Sequence, residues 1–301
     1  MIRRHPILFG LLMLLVAGTA FFAAVYTLGN LSGGKRSLTL ADKVGVVTVD
    51  GVITGSKDTV EQLEAFGKDP SIKAVVLRID SPGGGVAPSQ EIFGAILELR
   101  KKKKVVASLG SIAASGGYLI ACASDRIISN PGTITGSISA IMHFANAEEL
   151  MKKIGVRATV IKSGKFKDIG TPARGMTDEE RELLQDLVDD IYDQFLDSVA
   201  VNRKLSKDAL RTFADGRVFS GRRAMKLGLV DELGDMTTAV RVAGALSGIK
   251  GDPEVIWPPK KRSSLFEFLL QDARSYVVKA LREQPAGPVG AHYLYLNGST
   301  L

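Results

Sequence analysis

A chain of 301 residues, 45% hydrophobic and 24% charged, is long enough to bury one large core or two modest ones and is not a disordered composition. The single cysteine, Cys122, excludes an intramolecular disulfide and a cysteine-based zinc cluster, so packing alone must hold the fold. The formal charge of +7 does not read as a nucleic-acid footprint, because the basic residues are scattered and the run Lys101 to Lys104 closes a helical pattern, where cations suit a helix C-terminus.

Residues 7–28, "ILFGLLMLLVAGTAFFAAVYTL", carry no charge. About 20 apolar residues are what a helix needs to cross the hydrocarbon core. A cleavable signal peptide has a shorter apolar region and a small-x-small cleavage site, which "FFAAVYT" matches poorly, so the expectation is a retained transmembrane anchor. Arg3 and Arg4 precede the span while Lys35 and Arg36 follow it, and the free amino group tips the near-balanced count toward a cytoplasmic N-terminus of residues 1–6. The Gly- and Ser-containing stretch within residues 29–43 reads as a linker.

A globular pattern follows. "KVGVVTVDGVI", "KAVVLRID" and "KVVASLGS" are β-branched, apolar runs expected as buried strands. Between the last two lies "SQEIFGAILELRKK", with Ile92, Ile96, Leu97 and Leu99 near one helical face and Ser89 as expected N-cap, which makes a βαβ unit. "RIISN" and "RATVIK" are expected as short strands, and Thr177 with Glu180 opens a long helix by a capping box. The class is α/β, with the main domain over 44–250. In residues 251–301, "PEVIWPPKKRSS" reads as turns, "SSLFEFLLQDARSYVVKALRE" as an amphipathic helix, and the last stretch as a flexible end.

Two glycine-rich turns follow strands: "DSPGGG" and "AASGGY". Neither has the spacing of a phosphate-binding loop. Glycine lets bare backbone N–H groups approach a ligand, and Ser115 in the second turn would start a helix with the Gly116 N–H beside it, able to stabilise an oxyanion formed when the hydroxyl attacks a carbonyl. Such a serine needs a base. His5 lies beside the span and His292 in the tail, which leaves His143; the alternative is a desolvated lysine from Lys162, Lys165 and Lys167 in "VIKSGKFKDIG", residues that by composition alone read as surface lysines. Asp80 and Asp168 read as hydrogen-bonding rather than catalytic acids.

"DSPGGG", "GSIAASGGYLIACASDRIISNPGTITGSIS", "IKSGKFKDIGTPARGMTDEE" and "DGRVFSGRRAMKLGLVDELG" occur in order over about residues 44–240, and together they resemble the successive blocks of the signal peptide peptidase A family, in its short form with one catalytic copy behind an N-terminal anchor. The resemblance implies a Clp protease/crotonase-like spiral of ββα units and a serine endopeptidase with a Ser/Lys dyad, acting on signal peptides left in the membrane. It places the nucleophile on Ser115, the base on Lys167, the oxyanion hole on Gly84 and Gly116, and a lysine-orienting role on Ser137. It further implies a homo-oligomer, with the base supplied by another part of the chain or by a neighbouring subunit, no metal or cofactor, and an inner (cytoplasmic) membrane location with the catalytic domain on the extracytoplasmic face. Two alternatives stay open: a Ser-His-Asp protease using His143, which lies 28 residues after Ser115, and an inactive membrane scaffold of the same fold.

Overall fold

The computed structural model describes residues 13–21, 42–258 and 292–294. Residues 13–21 are helical, here α1. The rest of the expected 7–28 span lies outside the described residues, and among those described no helix is long and apolar enough to cross a membrane. The amphipathic helix expected after Ser264 also lies outside them.

From Asp42 a second unit begins. Its centre is three parallel strands, β1 (Lys43–Asp50), β2 (Ile72–Ser81) and β4 (Lys104–Ala114), linked by helices α2 (Lys57–Lys68) and α3 (Val86–Arg100), with the short strand β3 (Gly83–Gly85) between β2 and α3. The central strands are buried on both faces: Val46 and Val47, Val75 and Val76, Val105 and Val106 are all sealed from solvent. Consecutive apolar residues, rather than alternating ones, are what a sheet covered on both sides requires.

One cover packs α2, α3, α4 (Gly116–Cys122) and the long α6 (Asp178–Arg203) over Leu77, Ile79 and Leu109. On the other, Ala239 and Ala243 of α9 (Met236–Leu246) pack on Val44, Val46, Val76 and Val106. The sheet continues through β5 (Arg126–Ser129), β6 (Ile134–Gly136), β7 (Val218–Ser220), β8 (Glu232–Leu233) and β9 (Glu254–Ile256), and only β6 with β7 runs antiparallel. The short helices α5 (Glu148–Lys153), α7 (Lys207–Arg211) and α8 (Gly221–Lys226) fill the connections. The result is an α/β fold built on a mixed sheet.

Several local expectations change. Ser89 is not an N-cap: α3 starts three residues earlier, with Gly85 as its cap, and the Ser89 hydroxyl donates back to the Gly85 carbonyl at 2.8 Å. "RATVIK" forms no strand and is exposed throughout, with Ile161 97% accessible, and no strand among the described residues pairs with it. Glu254–Ile256, in the stretch read as turns, extends the sheet beside β1, and Glu254 pairs with Lys43 at 3.3 Å. Within the lysine run, Lys103 is not simply solvated: its ammonium donates to the carbonyls of Phe66 and Asp69, closing the C-terminus of α2. Finally, His292–Leu294 of the expected flexible end forms β10, antiparallel to β3.

Candidate active site

The glycine-rich turns meet because β2 and β4 lose register at their C-terminal ends. Ile79 pairs with Leu109, but the next pair is Ser81 with Ala113, so three residues of β4 bulge opposite Asp80. The Asp80 carboxylate accepts the exposed amides of that bulge, from Ser111 at 3.2 Å and Ile112 at 3.1 Å. A Cβ on Gly110 would sit 2.6 Å from the same carboxylate, so only glycine allows the clamp to close. Asp80 is thus a strand-shaping residue.

Beyond the bulge β4 takes β6 as its partner, and the Ser115 amide donates to the Gly136 carbonyl at 2.8 Å. Ser115 then turns sharply into α4 with φ 54° and ψ −120°. A non-glycine residue held there stores about 1–3 kcal/mol of strain, which persists only where the surroundings impose it. Its residue is 1% accessible, and its hydroxyl makes no hydrogen bond among the described residues. Ser137, next to Gly136, is held at φ 50° and is 7% accessible, with its amide on the Arg217 carbonyl. Two strained serines therefore flank one backbone hydrogen bond.

The backbone of β3 lies against the start of α4. A Cβ on Gly117 would come 2.8 Å from the Ser81 carbonyl oxygen, which explains the second glycine of "SGGY". The Gly83 amide donates to the Ser81 hydroxyl at 3.1 Å, and the Gly85 amide to the Ile53 carbonyl at 2.8 Å. Peptide groups alternate sides along a strand, so those of Gly84 point away from Ile53, toward the edge where Tyr293 of β10 is its register partner. No side chain fits at Gly84, since a Cβ would be 2.2 Å from the Ile53 carbonyl oxygen.

Lys167 sits elsewhere, exposed in an irregular segment of turns before α6. Of the three lysines there, Lys162 pairs with Asp168 and Lys165 with Glu179, whereas the Lys167 amine has no partner among the described residues. No hydrogen bond joins it to Ser115 or Ser137. The structure thus brings Ser115, Gly116, Gly84 and Ser137 into one neighbourhood and leaves Lys167 facing solvent. His143 is exposed as well and bonds neither Ser115 nor a carboxylate. A cavity of about 500 Å³ opens beside the lysine segment rather than at Ser115, between Phe144, Gly170, Arg174 and Leu184.

What the sequence reading did not find is the ionic lattice behind that segment. Arg174 donates to Asp168 at 3.2 Å and to both Glu180 oxygens at 2.8 and 2.5 Å, while Glu180 also accepts the Thr177 amide at 3.0 Å inside the expected capping box. The only sequence signal was an arginine six residues before the box glutamate. Hydrogen bonds from Arg174 and then Lys162 hold the Asp168 carboxyl down at about 2. Arg174 and the Thr177 amide hold Glu180 at about 2 as well.

Both carboxylates titrate below their unfolded values of about 4, so their stabilisation is complete above about pH 4 and is lost as pH falls toward about 2. Pepsin cleavage within residues 163–176 is accordingly expected to set in over that window, ahead of cuts in the sheet. Equal resistance of this segment at pH 4 and pH 2 would refute the assignment.

A strained, buried serine at a strand-to-helix turn, beside glycine backbone on a mixed α/β sheet, is the architecture of a serine peptidase of the Clp type. The family description "Peptidase family S49" matches residues 98–250, and "Clp protease" matches residues 39–134. The chain belongs to peptidase family S49. It is 44% identical over 211 residues to a putative protease of Synechocystis, covering 70% of this chain and 76% of that one. It is 35% identical over 249 residues to a putative protease of Methanocaldococcus jannaschii, covering 78% and 80%. Similarity to a putative signal peptide peptidase SppA of Enterococcus faecium is 37% over 174 residues, 58% of this chain and 51% of that protein.

Proposed function

We propose that this serine peptidase is a membrane-anchored endopeptidase that degrades remnant signal peptides through an acyl-enzyme on Ser115, with Lys167 as general base. The observation that carries the reading is the strained Ser115 turn set against the β3 backbone. In the reaction the Ser115 hydroxyl attacks the peptide carbonyl, and its proton passes to the Lys167 amine and then to the leaving amine. The oxyanion is stabilised by the amides of Gly116 and Gly84, the latter being the β3 amide that faces the edge taken by residues 292–294, which the substrate displaces. Ser137 orients the lysine amine. Water releases the acyl group by the same proton route.

Extended peptides suit this groove because the outer edge of β3 already takes an antiparallel strand, residues 292–294 of the chain itself. A homo-oligomer fits the exposure of Lys167: apolar Ile154, Val160 and Ile161 are also exposed on the chain leading to it, which suits burial against a neighbouring copy whose Ser115 the lysine then serves. The uncharged residues 7–28 supply the anchor, with the catalytic unit on the extracytoplasmic face.

A fluorogenic peptide with small and aliphatic side chains tests the activity; absence of turnover in the detergent-solubilised full chain would favour the scaffold alternative. Topology is tested by a cysteine introduced at Ser37, which is expected to react with a membrane-impermeant thiol reagent in intact cells. Cys122 will not interfere, because it is buried and burial pushes its thiol up to about 12. Labelling only after lysis would place the catalytic unit inside and remove the signal-peptide role.

A further inference from the structure

An amine acts as a base only when neutral, and a carboxylate within about 4–6 Å favours its charged form. The residue after Lys167 is a carboxylate, Asp168, which makes no ion pair with the Lys167 amine and pairs with Lys162 and Arg174 instead. Asp168 has both oxygens engaged: Oδ2 by Arg174 Nε at 3.2 Å, and Oδ1 by Arg174 Nη2 at 3.1 Å and by Lys162. Arg174 in turn is held bidentate by Glu180 at the start of α6. The segment between has no helix or strand, so its path depends on this lattice, on short turn bonds such as Lys167 amide to Gly164 carbonyl at 3.2 Å, and on the Gly175 amide on Glu148 at 3.0 Å.

We propose that Arg174 is a positioning residue for Lys167: it fastens the lysine-bearing turn to α6 and withholds the Asp168 carboxylate from the lysine amine. The proposal rests on the reading of Lys167 as the base. The remaining charges around the segment have other placements. Glu179 on α6 pairs with Lys165, and Glu148 on α5 accepts the Gly175 amide and pairs with Lys152 at 2.9 Å. His143, on the stretch whose Phe144 packs at Gly170, and Arg181 on α6 make no bond to the lysine amine.

Removing the guanidinium frees Asp168 to stabilise the ammonium. Removing the Asp168 charge leaves Arg174 and Lys162 uncompensated and disfavours it. The two substitutions must therefore move the pH–rate profile in opposite directions, whereas a merely structural role would scale the rate alike at every pH.

The experiment measures kcat and KM of the full chain on a fluorogenic peptide from pH 6 to 10 for the parent, Arg174→Gln, Asp168→Asn and Lys167→Ala. Arg174→Gln is expected to move the midpoint of the rising alkaline limb up by about one pH unit, a tenfold lower rate on that limb. Asp168→Asn is expected to move it down. Profiles that fall without moving overturn the proposal; should Arg174→Gln fail to fold by circular dichroism, the shift of Asp168→Asn decides alone. An active Lys167→Ala overturns the dyad and this role with it, whereas an inactive Lys167→Ala with unmoved profiles overturns the role of Arg174 only.

Discussion

Ser115→Ala is expected to lower turnover by on the order of 10⁶-fold, the loss typical of deleting a serine nucleophile, while leaving the fold intact. No hydrogen bond joins the hydroxyl to a described residue, so its removal orphans no described polar group. Ser115→Gly makes the sharper case. It deletes the same nucleophile, but at φ 54° glycine carries little of the strain that a Cβ imposes. It is therefore expected to be equally inactive and about 1 kcal/mol more stable, a rise of about 2–4 °C in Tm for a domain of this size. Opposite signs for activity and stability at one atom position are the signature of strain kept for function. Peptide turnover and thermal melts of both variants decide it: substantial turnover by Ser115→Ala would remove the acyl-enzyme mechanism, and a Tm of Ser115→Gly below the parent would remove the strain argument.

Features set by neighbours in sequence were the legible ones. The β-branched runs of β1, β2 and β4 read as buried strands because each residue of a doubly covered strand must be apolar, and the box of Thr177 with Glu180 is a contact three residues apart. Legibility ended where partners are distant. Lys103 looks like one more solvated charge until α2 brings the Phe66 carbonyl to it, and "RATVIK" has the composition of a strand but no strand partner among the described residues.

The site divides along the same line. Ser115 and its glycines stand out as small residues around a hydroxyl, whereas the engagement of the Gly83 amide by Ser81 and of the Gly85 amide by the Ile53 carbonyl shows only in the fold. Nothing local in "VIKSGKFKD" ranks its lysines. The fold pairs Lys162 with Asp168 and Lys165 with Glu179 and leaves the Lys167 amine without a partner among the described residues. Asp168 likewise shows its purpose only through Arg174 and Glu180, which belong to the next stretch of chain.

Substitution of the base should be less severe than that of the nucleophile but still large, and it separates a lysine mechanism from a histidine one. Lys167→Ala is expected to cost about 10²–10⁴-fold, the usual contribution of a positioned general base. Lys167→Arg should fail as badly, because a guanidinium keeps its proton and cannot accept another. His143→Ala should change little, since His143 is exposed and no carboxylate orients its ring. The parent rate should climb with pH, because the base works only after losing its proton. An ordinary lysine titrates near 10.4, about four units above an ordinary histidine, and burial against a neighbouring copy would bring the rise toward neutrality from above. Assaying the three variants and the parent from pH 6 to 10, with oligomeric state checked by size-exclusion chromatography, distinguishes the mechanisms. An inactive His143→Ala beside an active Lys167→Ala would establish the triad. An active Lys167→Arg would show that the cation serves the subunit contact and that the proton leaves Ser115 by another route.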